Sequence, residues 1–284
     1  MKGKGSGQAW GAATILNAVA SWKGSAFAVG LRTWAQVDIG GDEVMGDIPG
    51  VDASLVVRSA ELVLERFGLD AGATVKTWSE IPVASGLKSS SAAANAVVLA
   101  ALDAIGESME PLEAISLGVR AAMDVKVTIT GAFDDACASF LGGVVVTDNR
   151  ALKLLRHEDM HSSVVLLVPN ERLYSSRTDV TRSRLMADLA DLAFEQAMSG
   201  DFCRAMTLNG LLYCAALNRP SEPILAALAA GARAASLSGT GPSYAALVDD
   251  RSADQVVQAW QGFGGRVIKT EVMNVRAGQF SPSA

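Results

Sequence analysis

Residues 82–96 read PVASGLKSSSAAANA: a glycine, a lysine and three consecutive hydroxyls feeding directly into an alanine-rich run. Gly86 permits a tight, left-handed turn. Ser89, Ser90 and Ser91 bring hydroxyls and backbone N–H groups to a helix start, where the first amides lack intrahelical partners and carry partial positive charge. That combination is a phosphate cradle and predicts nucleotide binding. A Ser-capped helix after an ordinary loop is the plainer alternative.

A second group of residues, TGAFDDACASFLGG at 130–143, places Asp134 and Asp135 after a glycine and ahead of small residues that can pack closely against other backbone. In phosphoryl transfer an aspartate orients and deprotonates the attacking hydroxyl, or holds magnesium. The residues alone do not separate these roles from acids that simply favour a first helical turn. Asp124, on the preceding helix, and the Ser90 hydroxyl are hard oxygen donors of the kind magnesium takes beside substrate phosphates. A third stretch, SLSGTGPSYAALV at 236–248, flanks Thr240 with Gly239 and Gly241, so that main chain can approach a ligand closely.

One motif points elsewhere. Residues 157–161 read HEDMH, a literal match to the zinc-peptidase pattern H-E-x-x-H, and contain both histidines of the chain. That pattern needs a helix to put both imidazoles on one face. Here it lies between strand-like Ala151–Leu155 and Ser163–Val168, which leaves no length for a helix and predicts a solvated turn.

The elements that must position these groups follow from periodicity. Strand character covers Ser25–Ile39, an amphipathic helix Ser54–Phe67, a strand Thr74–Ser79, and a helix from the serine loop to Ile105 with Gly106 as its stop. Pro111 opens a helix to Asp124. Strands are predicted at Val144–Thr147 and Val164–Val168, helical structure over Thr178–Leu217, and then a short helix, a strand, the glycine turn, a strand at Tyr244–Val248, a helix at Ala253–Gly262 and a strand at Arg266–Glu271. The rhythm after residue 160 is a split β-α-β, so residues 1–160 and 161–284 are read as two domains of an α+β protein.

Composition narrows the class. The 284-residue chain is 50% hydrophobic with a net charge of −6, which suits packed cores and argues against non-specific nucleic-acid binding. Its three cysteines form no CxxC pair, fitting a reducing cytoplasm rather than a disulfide framework. The N-terminus lacks the apolar core of a signal peptide, and no apolar run approaches the roughly 20 residues a bilayer span needs; neither nucleic acid nor membrane is an expected partner. Neither a G-x-x-x-x-G-K-[ST] loop nor the protein-kinase H-R-D and D-F-G pair occurs.

Taken together, Pro82, Gly86, Leu87, Ser89, Ser90 and Ser91, the late glycine loop, and the aspartates ahead of Gly142 and Gly143 resemble the GHMP kinase superfamily. GQAWGAATILNAVASWKGSAFAV near the N-terminus, the lysine in GLKSSSAAANA, and TGAFDDACASFLGG are most similar to its archaeal-type shikimate kinases. The resemblance implies an N-terminal domain like ribosomal protein S5 domain 2 and a ferredoxin-like C-terminal domain. ATP would meet Pro82, Ser85, Gly86, Leu87, Lys88, Ser89, Ser90 and Ser91, together with Gly239, Thr240 and Gly241. Asp135 would be the catalytic acid-base residue, and Ser90 and Asp124 would hold Mg2+, Asp124 standing where the superfamily has glutamate. Shikimate as acceptor asks for a cation against its carboxylate; Arg177, Lys23 and Asn17 are the candidates. A homoserine or mevalonate-pathway kinase is the alternative activity, and a non-catalytic anion binder a third reading.

Overall fold

The computed structural model describes residues 3–48, 52–171, 173 and 179–280 of the chain. Six strands form the first sheet: β1 (Lys4–Leu16), β2 (Lys23–Ile39), β3 (Val44–Gly46), β4 (Ala73–Ser79), β5 (Val144–Asp148) and β6 (Lys153–Glu158). Its spine is β2. One edge of β2 pairs with β1; the other is divided, β5 taking residues 23–27 and β4 residues 33–39.

Four helices accompany this sheet: α1 (Ser54–Arg66), α2 (Ser89–Ile105), α3 (Pro111–Asp124) and α4 (Phe133–Leu141). The sheet and its neighbouring helices bury α2 on almost every side, including Ala92, Ala96, Val97, Ala100 and Ala104. That explains its alanine content: small side chains let the helix carrying the serine loop sit close to β1.

The second sheet is antiparallel, in the order β10-β7-β9-β8, with β7 (Ser163–Val168), β8 (Ala234–Leu237), β9 (Tyr244–Val248) and β10 (Arg266–Glu271). Between β7 and β8 run a 3-10 turn (Thr181–Met186) and helices α5 (Ala187–Ser199), α6 (Phe202–Ala216) and α7 (Glu222–Ala229); α8 (Ala253–Gln261) connects β9 to β10. This is the ferredoxin-like half, and the whole is α+β.

The two sheets share a core. Ile15, Phe27 and Val29 of the first pack in one cluster with Val164, Leu166 and Leu247 of the second. The chain beyond β10 then returns to the first sheet: Gly143 N donates to Met273 O (2.6 Å), Ala277 N to Phe140 O (2.7 Å), and Gln8 bridges to Gly278. The Arg276 guanidinium lies 5.0 Å from the Phe140 ring.

Two expectations change, and one element had no expectation at all. The glycine- and alanine-rich block before Asn17 is strand β1, although its composition does not favour a strand; it is buried on both faces from Ala9 onward, so no alternation marks it. The helical stretch over 178–217 is broken at Gly200, and Asp201 restarts it by accepting from Arg204 N at 3.1 Å. Within HEDMH, His157 and Glu158 end strand β6 rather than lying in a turn. No helix among the described residues is long and apolar enough to cross a membrane. Cys137, Cys203 and Cys214 are unpaired.

Candidate active site

The serine loop and the late glycine loop form one rim. Ser238 Oγ donates to Gly86 O (2.8 Å) and Ser243 N to Ser85 O (3.0 Å), while Ser85 Oγ folds back onto Pro82 O (2.7 Å). Gly86 has φ +87°, and a Cβ there would lie 2.5 Å from Ser238 O and 2.9 Å from Gly241 O, so no other residue fits without displacing the opposite loop. Leu87 is completely buried in the shared core and anchors the rim from below. Gly239 N donates to Thr14 Oγ1 (2.9 Å), and Thr240 is buried beside it.

Helix α2 begins immediately after Lys88. Ala92 N is the first amide to close onto the helix, on Lys88 O at 3.1 Å. The amides of Ser89, Ser90 and Ser91 therefore stand outside the helical ladder at its positive end, and Ser90 is exposed. This is the helix start that the sequence predicts.

Lys88 itself is left-handed, φ 65° and ψ 35°, a conformation that costs a side-chain-bearing residue about 1–2 kcal/mol. Its ammonium lies 3.1 Å from Asp135 Oδ1, with only 10% and 12% of the two side chains exposed. A Cβ on Gly239 would come within 2.8 Å of the same ammonium. One cation thus occupies the corner where both loops meet the start of α4.

Asp134 and Asp135 open α4, both buried. Asn149 Nδ2 donates to Asp134 Oδ1 (2.7 Å), and Asn149 Oδ1 accepts from Asp134 N (3.2 Å) and Thr147 Oγ1 (2.7 Å). At Gly24 on β2 a Cβ would lie 2.5 Å from Asp134 Cγ, so this strand passes against the carboxyl. Burial, and then the neighbouring Asp135 charge, push Asp134 up to about 7. Burial raises Asp135 as well, and the Lys88 ammonium offsets only part of that rise. The carboxyl facing a cation is Asp135; its neighbour faces a neutral amide.

The remaining candidates sit as follows. Asn17 is buried: its Nδ2 donates to Gly239 O (2.9 Å) and its Oδ1 accepts from Val19 N (3.0 Å), so its amide ties the β1–β2 loop to the glycine loop. Tyr213 holds the same loop, donating to Asn17 O (2.9 Å) and accepting from Ala20 N (3.1 Å). Lys23 pairs with Asp191 of α5 at 3.0 Å and lies 4.6 Å from the Phe194 ring. Asp124 meets Arg58 Nε at 2.8 Å, a guanidinium shared with Glu61 and Glu65. Arg177 lies outside the described residues.

His157 Nε2 is 3.1 Å from Gly142 O, and Glu158 is engaged by Arg156 at 2.7 Å. Successive strand residues face opposite ways, so His157 and Glu158 do not converge. No three His, Cys, Asp or Glu side chains gather around a metal-sized point among the described residues. Asn149 was not foreseen: an asparagine in a post-strand turn carries no mark of the carboxyl it braces.

Two family models match the chain: the GHMP kinases N terminal domain over residues 54–143 and the GHMP kinases C terminal over 193–265. A shikimate kinase of Methanothrix thermoacetophila is 58% identical over 97% of this chain and 97% of its own length. One from Halobacterium salinarum is 46% identical over 91% and 93%. Among solved structures, the homoserine kinase from Cytophaga hutchinsonii superposes with a TM-score of 0.75 at 19% identity, covering 99% of this chain and 98% of that one. The Methanococcus jannaschii mevalonate kinase gives 0.75 at 14%, covering 95% and 98%.

Proposed function

Because the chain belongs to the GHMP kinase family, we propose that it is a shikimate kinase, moving the γ-phosphoryl group of ATP to the 3-hydroxyl of shikimate. The observation that carries this reading is the 58% identity to a shikimate kinase across nearly the whole of both chains. The geometry at Lys88 and Asp135 supports it.

The triphosphate rests on the amides from Gly86 to Ser91, backed by the Gly239–Gly241 turn. The acceptor oxygen bonds to the γ-phosphorus as the bond from that phosphorus to the β–γ bridging oxygen breaks, and ADP departs. The hydroxyl proton passes to Asp135, whose charged form the Lys88 ammonium favours against burial, beside Asp134, which burial and the Asp135 charge push toward its protonated form. A positioned base of this kind contributes about 10²- to 10⁴-fold; positioning and charge stabilisation supply most of the rest. Hard oxygen donors suit magnesium, which needs only one or two from protein beside the phosphates. The exposed Ser90 hydroxyl fits that role and would hold the ion where it neutralises phosphate charge; Asp124 would first have to leave Arg58.

The test is a panel of shikimate, homoserine and mevalonate with MgATP, read by ADP release and by phosphorus NMR of the product. Shikimate 3-phosphate is the expected product. Turnover of homoserine or mevalonate with shikimate inert would overturn the assignment.

A further inference from the structure

A cavity of about 440 Å³ opens between the β1–β2 loop, the segment leading into α4, and the 3-10 turn before α5. Its size suits a small-molecule ligand. Trp22, Arg150 and Arg184 line it together with Ser21 and Thr130. The Arg150 guanidinium lies 5.2 Å from the Trp22 ring, and among the described residues neither arginine has an acidic partner. Ser21 Oγ is buried with no hydrogen-bond partner, an arrangement a ligand hydroxyl would repair.

The cavity is joined to the reacting groups by one residue. Asn149 N donates to Trp22 O (2.8 Å) while Asn149 Nδ2 holds Asp134. Arg150 follows directly, its own amide fixed on Asp148 Oδ1 at 3.0 Å. A planar cation stacked on an aromatic face is held in place before any ligand arrives. Resting on the shikimate kinase reading, we propose that Arg150, stacked on Trp22, grips the acceptor's carboxylate and sets specificity for anionic polyols, with Arg184 as the second cation and Ser21 binding a ring hydroxyl.

The test compares shikimate with its uncharged methyl ester, in turnover and in calorimetric binding, for the wild type, Arg150→Gln and Trp22→Leu. Losing a charge-assisted pair should raise the KM for shikimate about 10- to 100-fold, leave the KM for ATP within about twofold, and erase most of the preference for acid over ester. Trp22→Leu should erase part of it. An Arg150→Gln enzyme that turns over shikimate with the acid preference intact, or whose loss falls on ATP, overturns the grip and leaves the kinase assignment standing. Wild-type binding of the acid over the ester without phosphoryl transfer, abolished in Arg150→Gln, sinks the kinase assignment and upholds the grip; no binding of either compound by the wild type overturns both.

Discussion

Lys88 Nζ lies 3.1 Å from Asp135 Oδ1, joining the serine loop to the helix that carries both buried aspartates. The Lys88 charge offsets part of the rise that burial imposes on the Asp135 carboxyl.

Asp135→Asn should lower turnover about 10²- to 10⁴-fold with calorimetric affinity for ATP nearly unchanged. Full turnover in this variant would move the role to Asp134.

Lys88→Gly and Lys88→Met separate backbone strain from charge. Both remove the ammonium, and both should lose turnover. Only glycine accepts φ +65° freely, so the glycine variant should be more stable than the methionine variant by about 1 kcal/mol, read from urea midpoints. Equal midpoints would show that the left-handed turn stores no strain.

Gly86→Ala drives a methyl toward Ser238 O and Gly241 O at a positive φ. It should destabilise the fold by about 1–3 kcal/mol and raise the KM for ATP, because the loops can separate only by opening the rim. An unaltered melting temperature would contradict this packing.

Asp134 makes stability depend on pH. Its pKa is about 7 when folded against 3.8 for the free side chain, so the folded chain holds this proton more tightly than the unfolded chain does. Folding is therefore penalised progressively as pH rises from about 4 to about 7. Asp134→Asn keeps an acceptor for Asn149 and removes the charge. Its melting temperature should gain on the wild type as pH climbs through that window; a constant difference from pH 4 to 8 would remove Asp134 as the source.

The serine loop and its helix start were legible because their signal is local: a glycine, a run of hydroxyls and an alanine-rich run lie within a few residues. The ferredoxin-like rhythm was legible for the same reason, each of its elements carrying its own periodicity. Strand β1 was hidden because α2 covers it so closely that only small residues fit. The partners of single side chains were hidden by distance. Arg58 reaches Asp124 across 66 positions, and nothing near Asp124 announces a guanidinium. Asn17 reads as a polar contact for substrate, yet the fold uses both ends of its amide to fasten two loops.

The segment after β10 has a consequence for the order of events during synthesis. The serine loop and the late glycine loop both precede it in the chain. The far end of α4, the helix that carries Asp135, takes Met273, Arg276 and Ala277 from this segment as partners, beside the His157 ring on Gly142 O. A nascent polypeptide can thus bring the serine and glycine loops together while the helix that carries Asp135 still lacks this clasp.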